Sequence, residues 1–140
     1  MSIPGMPKGY HTLTPYMNVR DAKGFIEFLK QAFAAEVVEI FAGEDGTIFN
    51  AEIRVGTSML MTAEASDGYP SRTGVIYMYV DDPDQVYERA LKAGAKPFMP
   101  VADQFYGDRC GAVEDQWGHH WWIARRDRQV TPEELRKGKN

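Results

Sequence analysis

Tyr106-Gly107-Asp108-Arg109-Cys110-Gly111-Ala112-Val113-Glu114-Asp115-Gln116-Trp117-Gly118-His119-His120-Trp121-Trp122-Ile123-Ala124 holds two apolar-rich runs joined by a polar turn. Arg109 to Glu114 and His119 to Ala124 are strand-like, and Asp115 to Gly118 supplies the Gly-containing connection, so the stretch predicts a β-hairpin. It also has a counterpart. Gly46 and Gly107 stand 61 positions apart, as do Phe49 and Cys110, Asn50 and Gly111, and Ala51 and Ala112. At the same offset Tyr16-Met17-Asn18-Val19-Arg20-Asp21 returns as Tyr77-Met78-Tyr79-Val80-Asp81-Asp82. The chain is built twice.

A length of 140 residues suits one domain of two half-size modules, large enough to bury a core without disulfides or metal staples. No apolar run approaches the roughly 20 residues a membrane span needs, so no membrane partner is expected. Met1 to Gly9 lacks the charged-then-apolar order of a secretory signal, and the single cysteine, Cys110, cannot pair within the chain. A reducing cytoplasm is the expected location. Net charge is −4, and the only basic concentration, Arg125 to Arg128, is short and interrupted by Asp127. Nucleic acid is not an expected partner.

In chain order, His11 to Val19 reads as a strand with Leu13, Pro15, Met17 and Val19 on one face. Asp21 is a helix cap, and Phe25, Phe28, Leu29, Ala32 and Phe33 form the stripe of the helix that follows. Val37 to Ala42, Ile48 to Val55 and Ser58 to Ala63 complete a first β-α-β-β-β module over residues 10–63. A polar linker, 64–74, leads to the second module, 75–124. There Val75 to Val80 repeats the first strand, and Asp82 with Pro83 caps a helix that Gly94 ends. Phe98 to Val101 is a short strand before the hairpin. The tail, 125–140, carries a capping box, Thr131 with Glu134, that predicts a short terminal helix.

The paired Tyr-Met-x-Val-x-Asp starts, Ala93-Gly94-Ala95, Asp103 to Arg109 and the Asp115-x-x-Gly118-His119-x-Trp121 pattern resemble the PhnB-like branch of the glyoxalase/bleomycin-resistance/extradiol-dioxygenase superfamily, the vicinal oxygen chelate proteins. The resemblance spans His11 to Glu134. It implies an α+β fold of two tandem βαβββ modules whose curved sheets enclose a small-molecule cavity, with helices outside, usually in a homodimer. In metal-dependent members a divalent ion sits on His and Glu ligands; the matching places here fall at or near Thr14, Met61, Val75 and Trp122. A thioether, an isopropyl group and an indole do not make a divalent site. No metal or other cofactor is therefore expected, and the alternative is a site relocated to His11, Glu52 and His120.

Strand alternation nominates the cavity lining. If Val19 and Val80 face the helices, then Tyr16, Met61, Tyr77, Tyr79, His120 and Trp122 face away, with Glu52 and Arg109 as neighbours. Such a lining suits a small aromatic or anionic molecule, with Arg109 as the anchor for an anion. A structural ion pair from Arg109 to Asp108 or Asp103 is the competing reading. Cys110 falls on the helix-facing parity, as a buried inert thiol. Three classes remain: a metal-free binder of small molecules, a metal-dependent lyase, isomerase or dioxygenase with displaced ligands, and a homodimer whose cavity is vestigial.

Overall fold

The computed structural model describes residues 3–139. It divides into two units, one up to Thr73 and one from Gly74. The first contains β1 (Tyr16–Val19), α1 (Ala22–Phe33), β2 (Glu36–Ala42), β3 (Ile48–Val55) and β4 (Ser58–Glu64). The second repeats the order with β5 (Val75–Tyr79), α2 (Pro83–Lys92), β6 (Lys96–Asp103), β7 (Asp108–Glu114) and β8 (His120–Arg126), then adds α3 (Pro132–Gly138). Each unit is one four-stranded sheet, ordered β1-β4-β3-β2 and β5-β8-β7-β6. Each sheet packs its own helix, α1 in the first and α2 in the second. The chain is thus α+β, in two tandem βαβββ modules.

The helices form where apolar spacing and caps coincide. In α1, Phe25, Phe28, Leu29, Ala32 and Phe33 are all buried at three- and four-residue intervals. Asp21 caps it, accepting from Gly24 N at 3.1 Å, while the Glu64 carboxylate of β4 accepts from the Asp21 and Ala22 amides at 3.0 and 2.9 Å. A strand end therefore ties down the helix start. Asp82 does the same for α2, accepting from Gln85 N at 3.2 Å ahead of Pro83. In α3 the capping box forms as expected, with Thr131 and Glu134 exchanging bonds at 3.1 Å.

Two strand boundaries differ from expectation. β1 begins only at Tyr16, and Leu13, expected on its helix side, is 85% exposed. Pro15 has no N–H to donate; its carbonyl accepts from Met61 N at 2.9 Å, and regular pairing starts one residue later. β6 is longer than Phe98 to Val101 because it is an edge strand. There Pro97 and Pro100 are tolerated, with register shifts on either side of Met99.

The decisive departure is one residue of turn. Val55 pairs with Ser58, leaving Gly56 and Thr57 as a two-residue connection. In the second hairpin Asp115 N donates to His119 O at 2.9 Å, and Gln116, Trp117 and Gly118 lie between them. The 61-residue offset consequently holds for β1 to β5 and β4 to β8, where Tyr16–Met61 becomes Tyr77–Trp122. For β3 to β7 the offset is 60, since Met61 faces Glu52 and Trp122 faces Ala112. A one-residue slip exchanges the two faces of a strand. Every parity assigned to β7 from the repeat is inverted.

That turn is held by Asp115, which is only 4% exposed. One carboxylate oxygen accepts from the Trp117 and His119 amides, both at 2.9 Å; the other meets His119 Nδ1 at 2.9 Å and accepts from Trp121 Nε1 at 2.8 Å. Gly118 adopts a φ of 91°, a backbone conformation that favours glycine. The Asp-x-x-Gly-His-x-Trp pattern is therefore a structural clasp, with His119 buried inside it.

Candidate ligand-binding face

Cross-strand register decides which side chains share the face turned away from each helix. In the first sheet, Tyr16, Met61, Glu52 and Glu39 form one row. The Glu52 carboxylate accepts a short hydrogen bond from the Tyr10 hydroxyl, which lies in the segment before β1. Burial, and then this carboxylate with Glu39 behind it, push the Tyr10 hydroxyl up to about 12. Tyr16 is 54% exposed on the same row. His11 is exposed.

The second sheet carries the denser array. Tyr77 and Trp122 are register partners whose rings stack 12° from parallel with centroids 6.3 Å apart. Tyr79 follows Tyr77 at 5.5 Å between ring centroids, and Phe98 of β6 meets Trp122 edge-on at 6.3 Å. One end of this aromatic floor is closed by Asp108, whose side chain is 1% exposed. Asp108 accepts from Tyr77 Oη at 2.7 Å, from Tyr79 Oη at 3.2 Å and from Arg126 Nε. Burial alone would push its carboxyl up; the Arg126 guanidinium and the two tyrosine hydroxyls outweigh that and hold it below the ordinary carboxylate range. The Tyr77 hydroxyl is pushed well up, first by burial and then by its bonds to Tyr106 and Asp108. At the other end, His120 Nε2 lies 3.0 Å from Glu114 Oε1, and Phe98 packs on the imidazole at 4.2 Å.

Arg109 is the correction among the expected lining residues. It belongs to the other face of β7, where Nε and Nη2 donate to the two oxygens of Asp84 in α2 at 2.7 and 2.8 Å, and Nη1 donates to Asp103 at 3.0 Å. The expected Asp103 pair is present, and Asp84 is an addition that the sequence does not announce. Cys110 is corrected in the opposite sense. It shares the face of Tyr79 and Ala124, as register shows, and is fully buried there. Burial raises its thiol. Asp108, Arg126, Tyr106, Phe98 and Glu114 were not nominated. Counting the three-residue turn correctly would have put Asp108 and Glu114 on this face.

Among the described residues no three His, Cys, Asp or Glu side chains group closely enough to hold a metal ion. A cleft beside the start of α1 is lined by Asp21, Lys23, Asp45, Thr47 and Glu64. Its helix amides are already occupied by the Glu64 carboxylate, and Asp21, Asp45 and Glu64 outnumber Lys23 among its charged groups, so it is a poor site for an anion. No helix among the described residues is long and apolar enough to cross a membrane.

The repeated module and its half-open aromatic sheet define a class. The chain belongs to the Glyoxalase/Bleomycin resistance protein/Dioxygenase superfamily, whose family model matches residues 10–123. It is 34% identical over 137 residues to an uncharacterized protein of Mycobacterium bovis, covering 88% of each chain. Among solved structures it resembles TioX from Micromonospora sp. ML1, with a TM-score of 0.68 and 22% identity over 83% of this chain and 98% of that one. It also resembles a PhnB protein from Bacillus cereus, with a TM-score of 0.62 and 16% identity over 82% and 99%. At those identities the structural likenesses speak for fold alone.

Proposed function

We propose that this chain binds a small planar aromatic molecule on the face formed by Tyr77, Tyr79 and Trp122, without a metal ion. The observation that carries the reading is the Tyr77–Trp122 stack. It is a broad π-surface left partly open to solvent, with both tyrosine hydroxyls fixed by Asp108. Large aromatics held in place by buried polar partners lose little freedom when a ligand arrives, which favours binding. Tyr16, Glu52 and Met61 make the corresponding, sparser row in the first module. An anionic ligand is less well supported, because Arg109 is committed to Asp84 and Asp103 and Arg126 to Asp108.

The metal-free half of the proposal rests on donor chemistry. The places that match the family's ligands hold Thr14, Met61, Val75 and Trp122, a set that does not fit a divalent ion. Of the displaced candidates, Glu52 and His120 already have partners in Tyr10 and Glu114, and His11 is exposed. The test is a thermal-shift series with planar aromatic compounds on the wild type and Trp122→Ala, alongside elemental analysis. Stabilisation that disappears in Trp122→Ala supports binding on this face. If no compound raises the melting temperature, the vestigial reading replaces it, and one equivalent of bound metal defeats the metal-free half.

A further inference from the structure

We propose that His120 selects the ligand by accepting a hydrogen bond, so that the molecule taken by this face carries an O–H or N–H donor, as a phenol does. The inference rests on the binding reading above and deepens it. His120 Nε2 is 3.0 Å from Glu114 Oε1. A carboxylate oxygen only accepts, so Nε2 carries a ring proton, and in the neutral form of the imidazole Nδ1 keeps its lone pair. The ring has no other hydrogen-bond partner among the described residues, and its plane is set by Phe98 at 4.2 Å and 35°.

Two residues along β8, Trp122 presents its indole on the same face. The protons of the face's tyrosine hydroxyls are already committed. The hydroxyls of Tyr77 and Tyr79 point their protons at Asp108, whose own oxygens also take Arg126. In the row of His120 the other members are Val75, Glu114 and Lys96: an isopropyl group, a carboxylate whose Oε1 is engaged by His120 and whose Oε2 is the one competing acceptor, and a cation that only donates. Nδ1 is thus a neutral acceptor on a residue that shares the strand face of Trp122, and with it the face can distinguish a ring that can donate from one that cannot.

The experiment compares β-naphthol with its methyl ether, which has the same rings but no donor, by calorimetric titration in mildly alkaline buffer. The expected result is that the naphthol binds about three- to tenfold more tightly, the usual worth of one net hydrogen bond. In His120→Leu that preference should fall within about twofold, because the acceptor is gone. His120→Phe keeps ring packing on Phe98 and serves if the leucine variant does not fold, as judged by melting. Equal binding of the two probes to the wild type overturns the inference and leaves the aromatic-binding reading standing. A preference that survives both substitutions assigns the discrimination to another acceptor and also overturns it. Failure of both probes to bind the wild type removes the binding reading and this inference together.

Discussion

Arg109 grips Asp84 with two parallel hydrogen bonds, 2.7 Å from Nε and 2.8 Å from Nη2, and so fastens β7 to the first turn of α2. This paired geometry is the strong form of an ion pair, and a lysine could not reproduce it. Arg109 holds the Asp84 carboxyl below its ordinary range, chiefly by that hydrogen bonding. Arg109→Ala is therefore expected to lower the melting temperature modestly while leaving the affinity of any ligand on the Tyr77–Trp122 face unchanged. Titration of one aromatic probe into both proteins checks this, and a large loss of affinity would return Arg109 to the binding site.

Asp115 should matter far more to folding. Its carboxylate serves four partners inside a buried turn, and Asp115→Ala leaves those donors unmatched. The expected cost is about 2–4 kcal/mol by urea denaturation. Asp115→Asn retains one acceptor oxygen and should lose less.

Acid sensitivity follows from Asp108. Its carboxyl lies below the ordinary range in the folded chain, because Arg126, Tyr77 and Tyr79 overcome the opposing effect of burial. The stability it contributes is therefore present above the unfolded value and drains away as pH falls through the lower, folded one. Thermal melts between about pH 7 and pH 3 should show a descending acid limb, and Asp108→Asn should be less stable at neutral pH with a shallower limb. Parallel limbs for the two proteins would place the titration elsewhere.

Gly107 has a φ of 100°, and a β-carbon built there would lie 2.2 Å from the carbonyl oxygen of Arg128. Its own carbonyl accepts from the Asp127 and Arg128 amides at 2.9 and 3.2 Å, so the backbone cannot easily yield. Gly107→Ala is expected to destabilise the chain by about 1–3 kcal/mol, read from the shift of the urea midpoint.

β2 predicts self-association. Val37, Val38, Ile40 and Phe41 are between 38% and 65% exposed on a strand at the edge of its sheet. Edge strands with apolar side chains ask for a cover, and a closed two-fold pair is the commonest one. Sedimentation at micromolar concentration should give twice the chain mass; a single monomer mass throughout would sink the expectation.

The repeat was legible because Tyr16 to Asp21 and Tyr77 to Asp82 occupy equivalent strands in equivalent registers, and both helices follow from an Asp cap and an apolar stripe. Which face a side chain takes was legible only on strands that keep the 61-residue offset. Tyr16 and Met61 in the first sheet, and Tyr77, Tyr79, His120 and Trp122 in the second, each lie on the side of their own sheet that alternation assigns. Arg109 and Cys110 do not, because Gln116-Trp117-Gly118 is one residue longer than Gly56-Thr57. Alternation carries no memory of turn length, so a strand's parity can be transferred between repeats only after the turn beside it has been counted. Asp84 was invisible for another reason. It meets Arg109 through packing of α2 on β7 across 25 residues of chain, which no local pattern encodes, whereas Arg126 is the register partner of Asp108 and follows from the same count of the turn.

Cys110, the chain's single cysteine, is fully buried in the middle of β7, and its thiol is raised by that burial. Only the thiolate of an accessible cysteine reacts readily with a disulfide reagent. Modification must wait until β6 or β8 parts from β7, so the labelling rate is a built-in clock for the opening of the second sheet. A bound molecule that slows the clock must be holding that sheet shut, a readout that needs no engineered probe.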